Sequence, residues 1–284
     1  MPLPALLLIL ASGIVLAVWN LLVKKAEDAS VFFLGAIITA LALYTPVFLL
    51  LLVPGLPPLN AEAVAAVFLA GLIEGTYFIL LTVSYRRGDL SLVYPVSRGS
   101  APLFIVAGAA VFLSERVTLL GYAGIGLIVL GIAAVAWPTR RATVTGPAVA
   151  LSLLTGVAIA GHHVCYKWAL GFLSPFAAIY MAWLVAGTTL GVYCLVTRPW
   201  RSAARYLHAN FGRAALVGVI SMAGFLCALV ALNMTLVSYV GAARNVGMIF
   251  SVIFGALFLK EGGRLRRLVG AVAITAGVFA IAFA

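Results

Sequence analysis

Apolar runs of about twenty residues, divided by short polar or turn-forming breaks, fill the chain from end to end. A helix crossing the ~30 Å hydrocarbon core of a bilayer needs about 20 mainly apolar residues. The pattern predicts ten such helices, at about 3–23, 31–53, 63–84, 90–112, 117–137, 147–170, 174–197, 213–236, 238–259 and 264–283. Their breaks carry charge or turn signals, as in Lys24-Lys25-Ala26-Glu27-Asp28, Pro54-Gly55-Leu56-Pro57-Pro58, Arg86-Arg87-Gly88-Asp89, Ser114-Glu115-Arg116 and Pro138-Thr139-Arg140-Arg141. The longest connection, 198–213, holds Trp200, Tyr206 and His208 and reads as a short interfacial helix. The break near 236–238 rests on length alone. No basic segment precedes the first apolar run, and Trp19 and Asn20 lie inside it, so it reads as a mature helix and not a signal peptide.

Composition names the solvent. Of 284 residues, 65% are hydrophobic and 9% charged, against about 25% charged in ordinary soluble domains; mean hydropathy is +1.21. One soluble core cannot hide that much apolar surface, which excludes a soluble enzyme or a disordered regulator. The net charge of +11 would suggest nucleic acid in a soluble domain. In a membrane protein the same excess marks cytoplasmic loops. Fourteen of the eighteen Lys and Arg follow odd-numbered spans, which predicts cytoplasmic odd loops, both termini outside and a plasma-membrane location (the inner membrane in a bacterium). The three cysteines, Cys165, Cys194 and Cys227, lack metal or redox spacing and read as small apolar side chains.

The halves resemble each other. At an offset of 146, Leu90, Arg98, Phe104, Phe112, Leu113, Glu115, Gly124 and Gly131 meet Leu236, Arg244, Phe250, Phe258, Leu259, Glu261, Gly270 and Gly277. At an offset of 143, Gly13 meets Gly156 and Lys24 meets Lys167. Five spans per half force the second copy upside down, so the expected fold is all-α, ten helices in two inverted five-helix repeats, 1–138 and 147–284. Inverted repeats are a mark of secondary transporters that hold substrate near the midplane.

The run Asp89-Leu90-Ser91-Leu92-Val93-Tyr94-Pro95, then Ala101-Pro102-Leu103-Phe104, Phe112-Leu113-Ser114-Glu115-Arg116 and Gly131 resembles the EamA-type branch of the drug/metabolite transporter superfamily. Phe258-Leu259-Lys260-Glu261 echoes it in the second half, with Ser114 and Lys260 where the family often has Gly before Glu. The resemblance covers nearly the whole chain. It implies spans 3, 4, 8 and 9 around a central cavity and small-molecule transport, export above all; for substrate it is broad. Many relatives are thought to keep their termini cytoplasmic, against the loop census.

An ionisable side chain inside a span costs about 2.5–3.5 kcal/mol and calls for a reason. Arg98 and Arg244 are repeat mates, about 12 and 10 Å into spans 4 and 9, which enter from opposite faces. In a ~30 Å core that leaves roughly 8 Å between them along the membrane normal. There they either grip carboxylate or phosphate oxygens bidentately or are neutralised as a structural lock. Pro95, Gly99 and Pro102 predict a broken helix in span 4, as Gly241, Asn245 and Gly247 do in span 9. Glu74, the one acid at depth, is a candidate for proton coupling, an ion pair with Arg98 or recognition of a substrate amine.

His162 and His163 point about 100° apart on a helix and cannot serve one metal. One of them is expected to line the cavity, opposite Trp19 and Asn20 in the mirrored span. Tyr77, Phe78, Tyr94, Tyr180, Trp183 and Tyr239 are aromatic candidates for the cavity wall, and the glycine spacings read as close helix packing. Lys167 reads as snorkelling from a helix end, and Glu115 and Glu261 as carboxylates at the starts of spans 5 and 10.

The expected function is export or exchange of a small anionic or zwitterionic metabolite (amino acid, organic acid or phosphonate). Its substrate-binding residues are Arg98, Arg244, Glu74, Tyr77, Tyr94, Asn245, His162 and Trp19. The alternative is proton-coupled export of cationic drugs or amines through Glu74. No catalytic, metal or cofactor motif occurs. The expected partners are the substrate, the bilayer and protons as coupling ion, without nucleic acid, in a monomer or weak homodimer.

Overall fold

The computed structural model describes residues 1–23, 26–52, 55–87, 90–136, 146–247 and 264–284, with backbone alone at 19–23, 51–52, 90–92, 94–95, 135–136 and 264–268. Its elements are α1 (Leu3–Val23), α2 (Ala29–Val47, continued by a π-helical turn Phe48–Leu52), α3 (Ala61–Arg87), α4 (Leu90–Leu113) and α5 (Leu119–Ala136). The second half has α6 (Gly146–Ala169), α7 (Pro175–Thr197), α8 (Trp200–Met234), α9 (Val237–Ala243, continued by a 3-10 turn Arg244–Val246) and α10 (Arg264–Ala282). Among the described residues α2, α3, α4, α6, α7 and α8 are long and apolar enough to cross a membrane, and shorter apolar stretches run over Leu3–Val18, Leu119–Ala134 and Val269–Ala282. Large apolar side chains face outward, with Val111 74% and Leu119 86% exposed. Such a surface suits lipid and not water. The chain is an all-α polytopic membrane protein.

Two features differ from the sequence pattern. The connection expected over 198–213 is the start of α8, a continuous helix of 35 residues. No proline and only one glycine, Gly212, interrupts it between Trp200 and Arg213. At 1.5 Å per residue it is about 52 Å long, well beyond the hydrocarbon core, so its first turns carry exposed Arg201 and Arg205 past the apolar layer. In α4 the prolines do not break the helix. Ser97 donates to the Val93 carbonyl at 2.7 Å and Ser100 to that of Val96 at 2.7 Å, neither of them a carbonyl that Pro95 or Pro102 deprives of its amide, which are those of Ser91 and Arg98. The interruption expected in the other half is present: α9 gives way after seven residues to the tighter turn that carries Arg244.

Glycines let backbones touch. A Cβ on Gly71 of α3 would overlap the Ala182 carbonyl of α7, and one on Gly218 of α8 would overlap the Ala36 carbonyl of α2. On α5 and α10, a Cβ at Gly124 would meet the Gly277 oxygen at 2.8 Å and one at Gly131 the Gly270 oxygen at 2.7 Å. Gly124 facing Gly277 while Gly131 faces Gly270 makes these helices antiparallel.

One polar node ties three helix ends together. Asp28 caps α2, accepting from Ser30 Oγ at 2.6 Å and from the Val31 amide at 3.4 Å. It also accepts from Arg198 Nε at 2.5 Å, at the end of α7, with Arg86 of α3 at 3.9 Å. Burial alone would raise the Asp28 pKa. The hydrogen bonds from Ser30, Arg198 and Val31, with the Arg198 charge, outweigh it and hold the carboxyl below its ordinary value.

Two predictions follow from the packing and from this node. Gly71→Ala lowers the melting temperature in detergent, whereas Gly126→Ala, whose Cβ meets nothing within 4 Å, leaves it level or raises it by the helix gain of about 0.5–1 kcal/mol. Because its folded pKa is depressed, Asp28 stabilises the protein above the unfolded aspartate value, near ~3.9. That contribution is lost as pH falls through the folded value. Asp28→Asn therefore lowers the melting temperature at neutral pH and flattens its decline below about pH 4.

Candidate functional site

Arg244 is held at the heart of the bundle. It is 8% exposed, and its 3-10 turn places the guanidinium in the wall of a cavity of about 80 Å³. Nε donates to Ser12 Oγ of α1 at 3.1 Å, and Nη1 donates to His163 Nε2 of α6 at 3.3 Å. The guanidinium carbon stands 4.8 Å from the centre of the Phe225 ring on α8, within range of a cation–π contact. All three partners are neutral. Because His163 accepts at Nε2, its ring proton sits on Nδ1, which donates to the Ile159 carbonyl at 2.7 Å.

Around this cation the cavity gathers most of the residues singled out from sequence. Arg98 of α4 lines the same wall and donates through Nη2 to Tyr77 Oη of α3 at 3.5 Å. Glu74, 4% exposed, also lines it and accepts from Tyr166 Oη at 2.6 Å. Glu74 makes no ion pair with either arginine among the described residues. Both histidines line the cavity, not one alone, their ring centres 4.4 Å apart. His162 donates from Nδ1 to the Ala158 carbonyl at 3.0 Å. Among the described residues, two polar atoms of the lining are buried without a hydrogen bond: Trp183 Nε1, which lies near the Glu74 carboxylate, and Ser221 Oγ.

The family model for EamA-like transporters matches residues 3–137 and, a second time, 146–283. The chain belongs to the EamA-like transporter family. No curated protein matches it by sequence. A solved crystal structure, described only as that of a protein, has a similar fold, with a TM-score of 0.76 at 14% identity over 98% of this chain and 96% of that one. This fold and family make the chain a membrane transporter-family protein and not an enzyme. Among the described residues, no three His, Cys, Asp or Glu gather to hold a metal, and the three cysteines are free.

Other residues of this EamA-like chain fall differently. Asn245 is buried, but its amide donates back to the Gly241 carbonyl at 3.2 Å, and it does not line the cavity. Tyr180 stacks on Phe48 at 4.1 Å and bonds Thr45, and Tyr239 bonds Thr118; both brace helices. The side chains of Trp19 and Tyr94 lie outside the described residues. Sequence reasoning missed Ser12, Tyr166, Ser221 and Phe225. The last two had a signal: at an offset of 147, Glu74 meets Ser221 and Phe78 meets Phe225. Ser12 and Tyr166 had none, being ordinary members of apolar runs.

Tyr166→Phe removes a hydrogen-bond donor from the buried Glu74 carboxyl. It should cost about 1–3 kcal/mol, read as a lower melting temperature in detergent, whereas Tyr122→Phe, at an exposed side chain, should cost little.

Proposed function

We propose that this transporter moves a small anionic or zwitterionic metabolite (an amino acid, organic acid or phosphonate) by alternating access. The observation that carries the reading is Arg244: a buried cation whose direct partners are a hydroxyl, a neutral imidazole and an aromatic face. Buried charges are ordinarily paired, and Arg244 opens on a cavity it shares with Arg98 and Glu74. A carboxylate, phosphate or phosphonate group supplies the missing charge and accepts from the planar guanidinium, with Arg98 on the same wall as a second donor. Tyr77, His162 and the aromatic lining contact the rest of the ligand. Glu74 exchanges a proton during the cycle or meets a substrate amine.

The reading includes two inverted five-helix repeats, 1–138 and 147–284, making ten crossings in one transport unit. The doubled family match supports it. So does the exchange of contacts between repeat mates: Gly124–Gly277 becomes Gly270–Gly131, and Gly71–Ala182 becomes Gly218–Ala36. With odd loops cytoplasmic and both termini outside, the basic start of α8 lies on the inner face of the plasma membrane. The protein works as a monomer or weak homodimer.

One observation favours a second reading, export of organic cations. Glu74 is the acid of the cavity, and Tyr77, Phe78 and Trp183 line the same space, an aromatic setting that attracts cations. A thermal-shift titration and proteoliposome counterflow with succinate, L-leucine, methylphosphonate and tetraphenylphosphonium separate the two. The anionic or zwitterionic probes are expected to stabilise the protein and exchange, with Arg244→Ala weakening them about 10–100-fold, the worth of a charged hydrogen bond. Arg244→Lys keeps the charge and recovers part of the loss. Binding of tetraphenylphosphonium alone, lost in Glu74→Gln and indifferent to both arginines, overturns the anion reading.

A further inference from the structure

Two charged side chains outside the cavity meet at the break between α8 and α9. Glu115 lies on the connection between α4 and α5. It was expected to serve the start of α5, but its carboxylate instead takes the first amides of α9: Val237 N at 2.8 Å, Ser238 N at 3.3 Å and Ser238 Oγ at 2.9 Å. Lys167, at the end of α6, does not snorkel outward. Its ammonium donates to the Leu232 and Thr235 carbonyls at the end of α8, at 2.6 and 2.8 Å. An anion thus holds the amino end of one helix and a cation the carboxyl end of the other, each with the favourable sign for the helix dipole. Between them lie only Thr235 and Leu236.

The connection bearing Glu115 is shaped for this task. Ser114 adopts a left-handed φ of 52°, a conformation that costs a non-glycine residue energy, and the Glu115 amide then donates to the Ala109 carbonyl at 3.1 Å. A few residues on, Tyr239 of α9 accepts from the Thr118 amide at 3.3 Å and lies where a Cβ on Gly121 would stand. At its far end the Arg244 turn is set against α1, where a Cβ on Gly247 would meet the Gly13 carbonyl oxygen at 2.5 Å. From Val237 to Arg244 the chain takes seven steps, about 10 Å of rise, and every residue of it is buried.

We propose that Glu115 and Lys167 are positioning residues for Arg244, fixing the height and rotation of α9 and so the place of the guanidinium in the cavity. A shift of one residue at the clasp turns the helix by about 100° and takes the arginine away from Ser12 and His163. Neither side chain lines the cavity, so both act on the ligand only through Arg244. The inference rests on the reading that Arg244 holds the anion.

The test has two readouts on the full-length protein in detergent. Hydrogen–deuterium exchange over 237–246 is expected to rise tenfold or more in Glu115→Ala and less in Glu115→Gln, which keeps one acceptor; unchanged exchange overturns the clasp. Titration with succinate, L-leucine and methylphosphonate is expected to show Glu115→Ala and Lys167→Met weakening the probes that bind wild type about tenfold. In an Arg244→Ala background the same changes should have no further effect. Full additivity in that double-mutant cycle means the residues do not act through Arg244 and overturns the inference. If Glu115→Ala fails to fold, Glu115→Asp, too short to span both amides, takes its place in each readout. Wild type that binds none of the three probes refutes the anion reading, while the exchange measurement still decides the clasp.

Discussion

Lipid offers no hydrogen bonds, so each polar group inside the bundle must find its partner in protein or ligand. Arg244 is where this constraint presses hardest. A guanidinium needs its N–H groups met and its charge answered, and the protein supplies a serine, a histidine lone pair and an aromatic face. To supply them it brings α1, α6 and α8 together around one turn, and the cavity is the space these helices leave between them. The tautomer of His163, the closeness of α1 to that turn and the clasp on α9 all follow from placing one cation there.

Close packing makes the placement possible. The glycine contacts of α3 with α7, of α2 with α8 and of α5 with α10 set backbone against backbone, leaving little room for helices to slide. Such surfaces are satisfied in discrete arrangements and resist gradual deformation. The polar node at Asp28 adds a tie among the ends of α2, α3 and α7.

How much was legible in sequence depended on what each signal competes with. Arg98, Arg244 and Glu74 stood out because ionisable residues are rare in apolar runs, and all three line the cavity. The fold class followed from run length alone. The start of α8 was read as a separate interfacial helix because its charges set it apart from the apolar stretch that follows, although its residues let one helix run through both. The prolines of α4 were over-read, since each removes a single backbone bond and membrane helices carry such a loss without ending. Glu115 was recognised as a cap, but which helix it caps is a matter of tertiary contact that no local pattern records. Ser114 is the opposite case: a residue standing where relatives often have glycine has the left-handed backbone that glycine tolerates.

One asymmetry in the cavity has an energetic side. Glu74 and Ser221 occupy matched places on α3 and α8, so repeat mates there are an acid and a hydroxyl. Two chemically identical halves that trade conformations would give inward-open and outward-open forms of equal energy, populated equally at rest. On the alternating-access reading proposed above, a carboxyl in one half without a matching acid in the other would break that degeneracy, so that the empty protein favours one opening over the other. The resting state of such a bundle would then be set at cavity positions where its two halves differ.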